Sequence, residues 1–246
     1  MLAPVDNEAV VLTVLSDRFR LPLDKLAAGK VLVADVAHPS MTARAFERHG
    51  GAVVGVAPEQ AARLRQLLDG PDTVTTALKA LAAELPGHMF SGTARTGVVI
   101  PPPAAEVTVL DAGDPRLPEW VLGHFVGEAW VVMEGGEVLS TAVLKRYDER
   151  LREISVGTAP SARGRGLARS VVAAAARSVL AEGRAVLYNH AVDNDASARV
   201  AESVGLHLLG NYHAVVPDRR AGAEYGEDDT AAERAGYRRR RAKGAS

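Results

Sequence analysis

The chain of 246 residues contains no cysteine. That excludes disulfides, cysteine-ligated metal and a thiol nucleophile. It has no apolar run approaching ~18 residues, so no membrane-spanning helix is expected. The first residues, Met1-Leu2-Ala3-Pro4-Val5-Asp6, show no basic stretch leading into an apolar core. No secretory leader is expected, and the cytoplasm is the default compartment. Charge of one sign is not in excess either: 29 Lys and Arg face 30 Asp and Glu, for a formal net charge of −1. Such a balance argues against a general nucleic-acid binder and gives no reason to expect a membrane partner. What remains is 47% hydrophobic and 24% charged, an ordinary globular composition. The length suits one large domain or two small ones.

The first hundred residues alternate strand and helix signals. Asp6 and Asn7 can cap a helix to Arg20, with Val10, Val11, Val14, Leu15 and Phe19 near helical spacing. Val31 to Ala34 reads as a short buried strand. Ser40 reads as the cap of a helix ending at Gly50-Gly51. Val53 to Val56 is a second strand. Pro58 suits the first position of a helix to Leu68. Asp72 reads as the cap of another, Thr73 to Leu85, stopped by Pro86-Gly87. This is a small α/β unit without a chemical motif. His38, His49 and His88 stand isolated and read as solvated or capping residues. Pro101-Pro102-Pro103 can continue neither a helix nor a central strand and reads as a stiff linker. The expected division is therefore 1–104, 105–216 and a tail from 217 to 246. That tail is acidic at Glu227-Asp228-Asp229 and basic at Arg238 to Arg241 and Lys243, as a solvated, disordered or loosely docked end would be, with a nucleic-acid arm as the other reading.

The second half begins with a strand, Val107 to Leu110. A short helix or pair of turns follows from Pro115 to Phe125, with Trp120 and Phe125 as core anchors. Three strands read as an antiparallel meander: Ala129 to Met133, Val138 to Leu144, and Leu151 to Thr158. The first two are joined by the turn Glu134-Gly135-Gly136-Glu137. After Thr158, Pro160 and Ser161 stop the strand, and Arg163-Gly164-Arg165-Gly166 leads into an alanine-rich helix from Arg165 to Leu180. A glycine turn feeding a helix is an anion site, because free N–H groups and the helix dipole point the same way. Ala185 to Tyr188 is the next strand. Asn194 caps a helix ending at Gly205, and Leu206 to Leu209 with Tyr212 to Val216 reads as a last hairpin.

The turn lacks the Gly-Lys-Ser/Thr ending of a nucleotide-triphosphate loop and the three spaced glycines of a dinucleotide fold. It does fit Gln/Arg-x-x-Gly-x-Gly/Ala, with Arg163, Gly166 and Ala168. On those residues, residues 106 to 216 resemble the GNAT N-acetyltransferase superfamily. Asn194, Ser197 and Gly205-Leu206 match a second motif of that family, and the element order matches too. The resemblance implies a mixed, mostly antiparallel sheet flanked by helices, preceded here by the small α/β module. It implies acetyl-coenzyme A (acetyl-CoA) as cosubstrate, with no metal. The pyrophosphate would lie on the backbone of Arg163, Gly164, Arg165, Gly166, Leu167 and Ala168. The pantetheine arm would lie beside Val156, Gly157 and Thr158, where an N–H polarises the thioester carbonyl. Asn194 would bond the arm's amide, and Ser197 would help at the phosphate end; both equally read as helix caps.

For the chemistry, the resemblance implies a general base on the loop-leading strand, where Glu153 is the available carboxylate. A strand-end charge in solvent is the other reading of Glu153. The family's acid is a tyrosine seven residues after the motif asparagine, but here that position is Ala201. Tyr188, Tyr212 and His190 are the replacements at hand, His190 also as a base; core or rim packing is the other reading of the two tyrosines. Tyr188 and His190 share a strand face. The implied activity is acetyl transfer to a primary amine, most simply of a small molecule. A protein lysine or N-terminal acetyltransferase and a non-catalytic acyl-CoA sensor are the alternatives, and a homodimer is left open.

Overall fold

The computed structural model describes residues 6–38, 40–69, 73–85, 87–111, 113–118 and 127–217. The chain divides into two compact units, one of Met1–Asp17 with Gly92–Asn211, the other of Arg18–Ser91 with Tyr212–Ser246. In chain order the elements are α1 (Asn7–Phe19), β1 (Val31–Asp35), β2 (Ala43–Arg48), β3 (Gly51–Val56), α2 (Pro58–Leu68), α3 (Val74–Glu84) and β4 (His88–Thr96). Then come β5 (Thr108–Asp111), β6 (Glu128–Glu134), β7 (Glu137–Asp148), β8 (Leu151–Thr158), α4 (Leu167–Ala181), β9 (Ala185–Ala191), α5 (Asp195–Ser203) and β10 (His207–Val216). The architecture is a mixed, mostly antiparallel sheet flanked by helices.

In the unit around Arg18–Ser91, β2 and β3 form a hairpin with Arg48 opposite Gly51. His49 (φ 52°) and Gly50 (φ 72°) make its two-residue turn. Positive φ at both central residues is the type I′ geometry that matches strand twist. The helix expected from Ser40 to Gly50 is therefore a strand: Ala43 and Ala45 are buried in a sheet core, and packing overrides their helix propensity. β1 runs parallel to β3. It is an edge strand, not the buried one expected, with Val31 half exposed. α2 starts at Pro58 as predicted. The α3 cap is Thr73, whose hydroxyl accepts from the Thr76 N–H at 3.3 Å; Asp72 lies outside the described residues. Val54, Val56, Leu64, Leu78, Leu81 and Val215 form this unit's core.

Arg44 is fully buried in the same unit. Its guanidinium donates to the carbonyls of Phe19, of Arg20 at 3.1 Å and of Val36 at 2.8 Å. Two of these are the carbonyls left open where α1 ends, so the cation sits at the negative end of that helix. Burial lowers the Arg44 pKa to about 10, with Arg20 adding to the effect. Gly55 lies beneath it: a Cβ there would meet Leu21 Cδ2 at 2.6 Å and Arg44 Cζ at 2.9 Å. Arg44→Met would strand three buried carbonyls, and we expect it to cost about 3 kcal/mol or more. The check is the urea midpoint, which should fall with an unchanged m-value. A midpoint within error of the parent would contradict this role.

In the unit containing Gly92–Asn211, the strand order is β10-β4-β9-β8-β7-β6-β5. β5 to β8 pair antiparallel in sequence, β8 and β9 pair parallel, and β9 pairs antiparallel with β4. The hairpin expected at 206–216 is one ten-residue strand, β10. Gly210, where the turn was expected, has no positive φ and stays extended. The antiparallel neighbour of β9 is instead β4, a strand that local sequence signals do not show. α4 covers β6 to β9 with Val171, Val172, Ala175, Ala176 and Val179 set against Trp130, Ala142, Ile154, Val186 and Tyr188.

The boundary expected at 104/105 falls at 91/92. Pro101 to Pro103 are exposed, but the chain on either side of them is fastened within one unit. Ile100 is buried in the α4 core, Arg177 Nη1 donates to its carbonyl at 3.0 Å, and the Ala105 N–H donates to Ser170 Oγ at 3.0 Å. The expected core anchors Trp120 and Phe125, and the tail beyond Pro217, lie outside the described residues.

Candidate active site

The site is built where β8 leaves β9. Their parallel pairing runs from Leu151 opposite Ala185 to Ile154 opposite Tyr188 and stops there. β8 stays paired with β7 through Thr158, opposite Ser140. β9 meanwhile stays paired with β4 as far as Ala191 opposite Gly92. A cleft therefore opens beyond Ile154, with backbone on both sides. The Ala185 N–H donates to the Arg150 carbonyl, and the Ala159 N–H to Leu139. Backbone groups alternate along a strand, so odd residues of β8 face β7 and even residues face β9. The N–H groups of Val156 and Thr158 thus point into the cleft, and that of Gly157 does not. Sequence reasoning named all three; the register selects two.

β8 ends on the cleft's lower rim, and the turn that follows supplies donors. Arg163 is extended, and Gly164 (φ 78°) and Gly166 (φ 75°) are left-handed. A Cβ on either glycine would meet nothing within 4 Å, so it is φ, not crowding, that asks for glycine here. The N–H groups of Gly164, Arg165, Gly166, Leu167 and Ala168 find no acceptor among the described residues. With the start of α4 directly behind them, they form a row of free donors of the kind that suits an anion. Arg163 is exposed. Arg165 makes a two-pronged ion pair with Glu134 at the end of β6, one prong at 3.1 Å, and this hydrogen bonding holds the Glu134 carboxyl below its ordinary range. Glu134 was not singled out from sequence; it adjoins the Gly135-Gly136 turn, and only folding brings it to the loop.

Asn194 is the N-cap of α5, its Oδ1 accepting from the Ser197 N–H at 3.1 Å. Ser197 Oγ shares a 2.7 Å hydrogen bond with the Tyr188 hydroxyl. Asn194 therefore fills the capping role weighed for it, while the Ser197 hydroxyl faces Tyr188, not the glycine turn.

Glu153 is buried, with 3% of its surface exposed. It lies opposite Lys145 on one side and Leu187 on the other, one residue before the cleft opens. The solvent-exposed strand-end reading is thus corrected: the position is mid-sheet. Tyr188 is fully buried on the α4 side, and burial pushes its phenol up to about 12. His190 is buried as well. Its Nδ1–H donates to the Ala191 carbonyl at 2.8 Å, and its Nε2 accepts from the Arg95 Nε–H at 3.0 Å. A base needs a free lone pair, and here an arginine holds it. Arg95, on β4, also reaches Glu202 of α5 at 2.9 Å. Tyr212 packs in the other unit against Phe19 and Phe90, with ring centroids 5.6 and 6.2 Å away. The structure thus gathers Glu153, the cleft N–H groups and the loop, and places Tyr188, His190 and Tyr212 in packed surroundings.

No curated protein sequence matches the chain. Among solved structures it is similar to a GCN5-related N-acetyltransferase from Kribbella flavida, at 14% identity, covering 89% of this chain and 98% of that one with a TM-score of 0.49. It is also similar to a putative GNAT-family acetyltransferase from Novosphingobium aromaticivorans, at 16% identity, 61% and 83% coverage and a TM-score of 0.46. A family model described as GNAT acetyltransferase matches residues 124–215. That stretch holds β8, the glycine turn, α4, β9 and α5, so the cleft and loop described above lie within the part of the chain that is similar to GNAT acetyltransferases.

Proposed function

We propose that this protein is an acetyl-CoA-dependent N-acetyltransferase acting on a primary amine, most simply that of a small molecule. The observation that carries this reading is the cleft: β8 parts from β9 after Ile154 while each keeps its other partner. An extended pantetheine arm can enter such a gap like an added strand and take the free backbone groups. The turn from Arg163 to Ala168 would hold the pyrophosphate with backbone N–H groups and the Arg163 side chain. The N–H of Val156 or Thr158 would polarise the thioester carbonyl as negative charge develops on its oxygen. Glu153 would take a proton from the attacking amine, directly or through water. The amine nitrogen bonds to the acyl carbon, the C–S bond breaks, and the thiolate leaves to be protonated.

Glu134 competes with the cosubstrate phosphates for Arg165. Glu134→Gln should therefore tighten acetyl-CoA binding about threefold to tenfold, since one exposed ion pair is weak. It should also steepen the salt dependence of that binding. Unchanged affinity would show that Arg165 takes no part. Tyr188→Phe should lower kcat by less than about tenfold, as a general acid removed would cost more. A larger fall, with the fold intact, would restore tyrosine as the acid.

One observation favours a second reading, a non-catalytic acyl-CoA sensor. Ala201 stands where the resemblance asked for the acid, and it is fully buried, while Tyr188 and His190 are both engaged elsewhere. Calorimetry with acetyl-CoA and a thiol-release assay over a panel of primary amines separate the two. Binding with turnover supports the transferase, binding without turnover the sensor, and no binding overturns both.

A further inference from the structure

One buried polar atom borders the cleft without a partner among the described residues, Asn189 Oδ1 on β9. Native folds leave few such atoms, and each asks for a group that completes it. Side chains alternate across a strand. On β8, Ile154 points to α4, so Glu153 points to the opposite face. On β9, Val186 and Tyr188 point to α4, so Leu187 and Asn189 share the face of Glu153. Register sets Glu153 and Asn189 at the opening. Leu187 stands opposite Glu153, and Asn189 follows two residues on, where β8 and β9 have parted. On its other side Asn189 is opposite Ala94, too small to reach it with a polar group.

We propose that Asn189 binds the acceptor amine on the sheet face opposite α4, and that this acceptor arrives as a primary ammonium. The inference rests on the transferase reading. Its chemistry is that of the unmet atom: a carboxamide oxygen accepts only, so it suits a group carrying N–H donors. Glu153 shares the face and accepts the proton that the ammonium must lose before attack. Asn189 touches the nucleophile and orients it; Glu153 does the chemistry. A quaternary ammonium, with charge but no N–H, finds nothing to bond there, so the site discriminates by donors and not by charge alone.

The test follows the Asn189 carboxamide resonances by NMR in full-length protein saturated with coenzyme A, assigned by difference with Asn189→Ala. Ethylammonium chloride should shift them saturably, and ethyltrimethylammonium chloride should not. Asn189→Ala should weaken ethylammonium binding about tenfold, the loss of one charged hydrogen bond, while coenzyme A binding stays unchanged. Equal shifts with both cations, or none with either, overturn the proposal. So does an Asn189→Ala variant that keeps the parent affinity. The shift of the Gly164 to Ala168 amides on adding coenzyme A is read in the same spectra. If those amides stay still, it is the cosubstrate reading that has failed, and the acceptor site falls with it for that separate reason.

Discussion

Glu153→Gln is expected to lower kcat by about 10²- to 10³-fold, within the range for a lost general base, and to leave acetyl-CoA affinity unchanged. The substitution keeps the shape of a side chain that is only 3% exposed, so packing is little disturbed. Glutamine cannot accept the amine's proton. The position suits a general base, because Glu153 is the last β8 residue on its face before the parallel pairing with β9 ends at Ile154. Burial in the sheet also keeps it out of competition with bulk buffer. The loss should shrink as pH rises and the free amine becomes abundant, because an already neutral nucleophile needs no base. Parent-like kcat at neutral pH would remove Glu153 from the mechanism, and a variant with equally weakened cosubstrate binding would make its role structural.

Val156→Pro is the second large effect, and a more selective one. Proline removes a single N–H. That N–H faces the cleft, since even residues of β8 point away from β7, so the β7 pairing keeps all its bonds. If this donor polarises the thioester, kcat should fall about 10²- to 10³-fold, as for an oxyanion donor elsewhere. Ser155→Pro is the contrast: it removes a β7-facing donor and should unfold the strand instead, seen as a lower melting temperature. Equal stability losses in the two variants, or full activity in Val156→Pro, would contradict the alternation on which the assignment rests.

Much of the unit that holds the cleft could be read from residues because its signals are local. The Arg163-Gly164-Arg165-Gly166 turn, the Asn194 cap and the Gly135-Gly136 hairpin each act over a few positions, and each stands where its spacing placed it. The failures share a different cause. β4 carries polar residues (Ser91, Thr93, Arg95) whose partners lie 95 to 122 positions away, so no window of sequence shows it to be a strand. The hairpin expected at Leu206 to Val216 assumed that Gly210-Asn211 would turn; with β4 beside β9, a straight β10 satisfies the sheet instead. Ala43 to Arg48 has helix-forming composition, yet the positive φ pair at His49-Gly50 commits it to a hairpin. For the site, Tyr188 and His190 were rightly placed on one face, but which face was not legible. Only packing shows that this face meets α4, and the same alternation then hands the cleft to Asn189.

The central claim is that an acyl thioester lies between β8 and β9 with its phosphates on the glycine turn. A crystal structure of the protein soaked with acetyl-CoA tests it most directly. The account predicts the pantetheine arm in the gap beyond Ile154, the thioester oxygen within hydrogen-bond distance of the Val156 or Thr158 N–H, and the pyrophosphate on the amides of Gly164 to Ala168. Cosubstrate bound anywhere else, or a gap closed by β8–β9 pairing beyond Ile154, would contradict it.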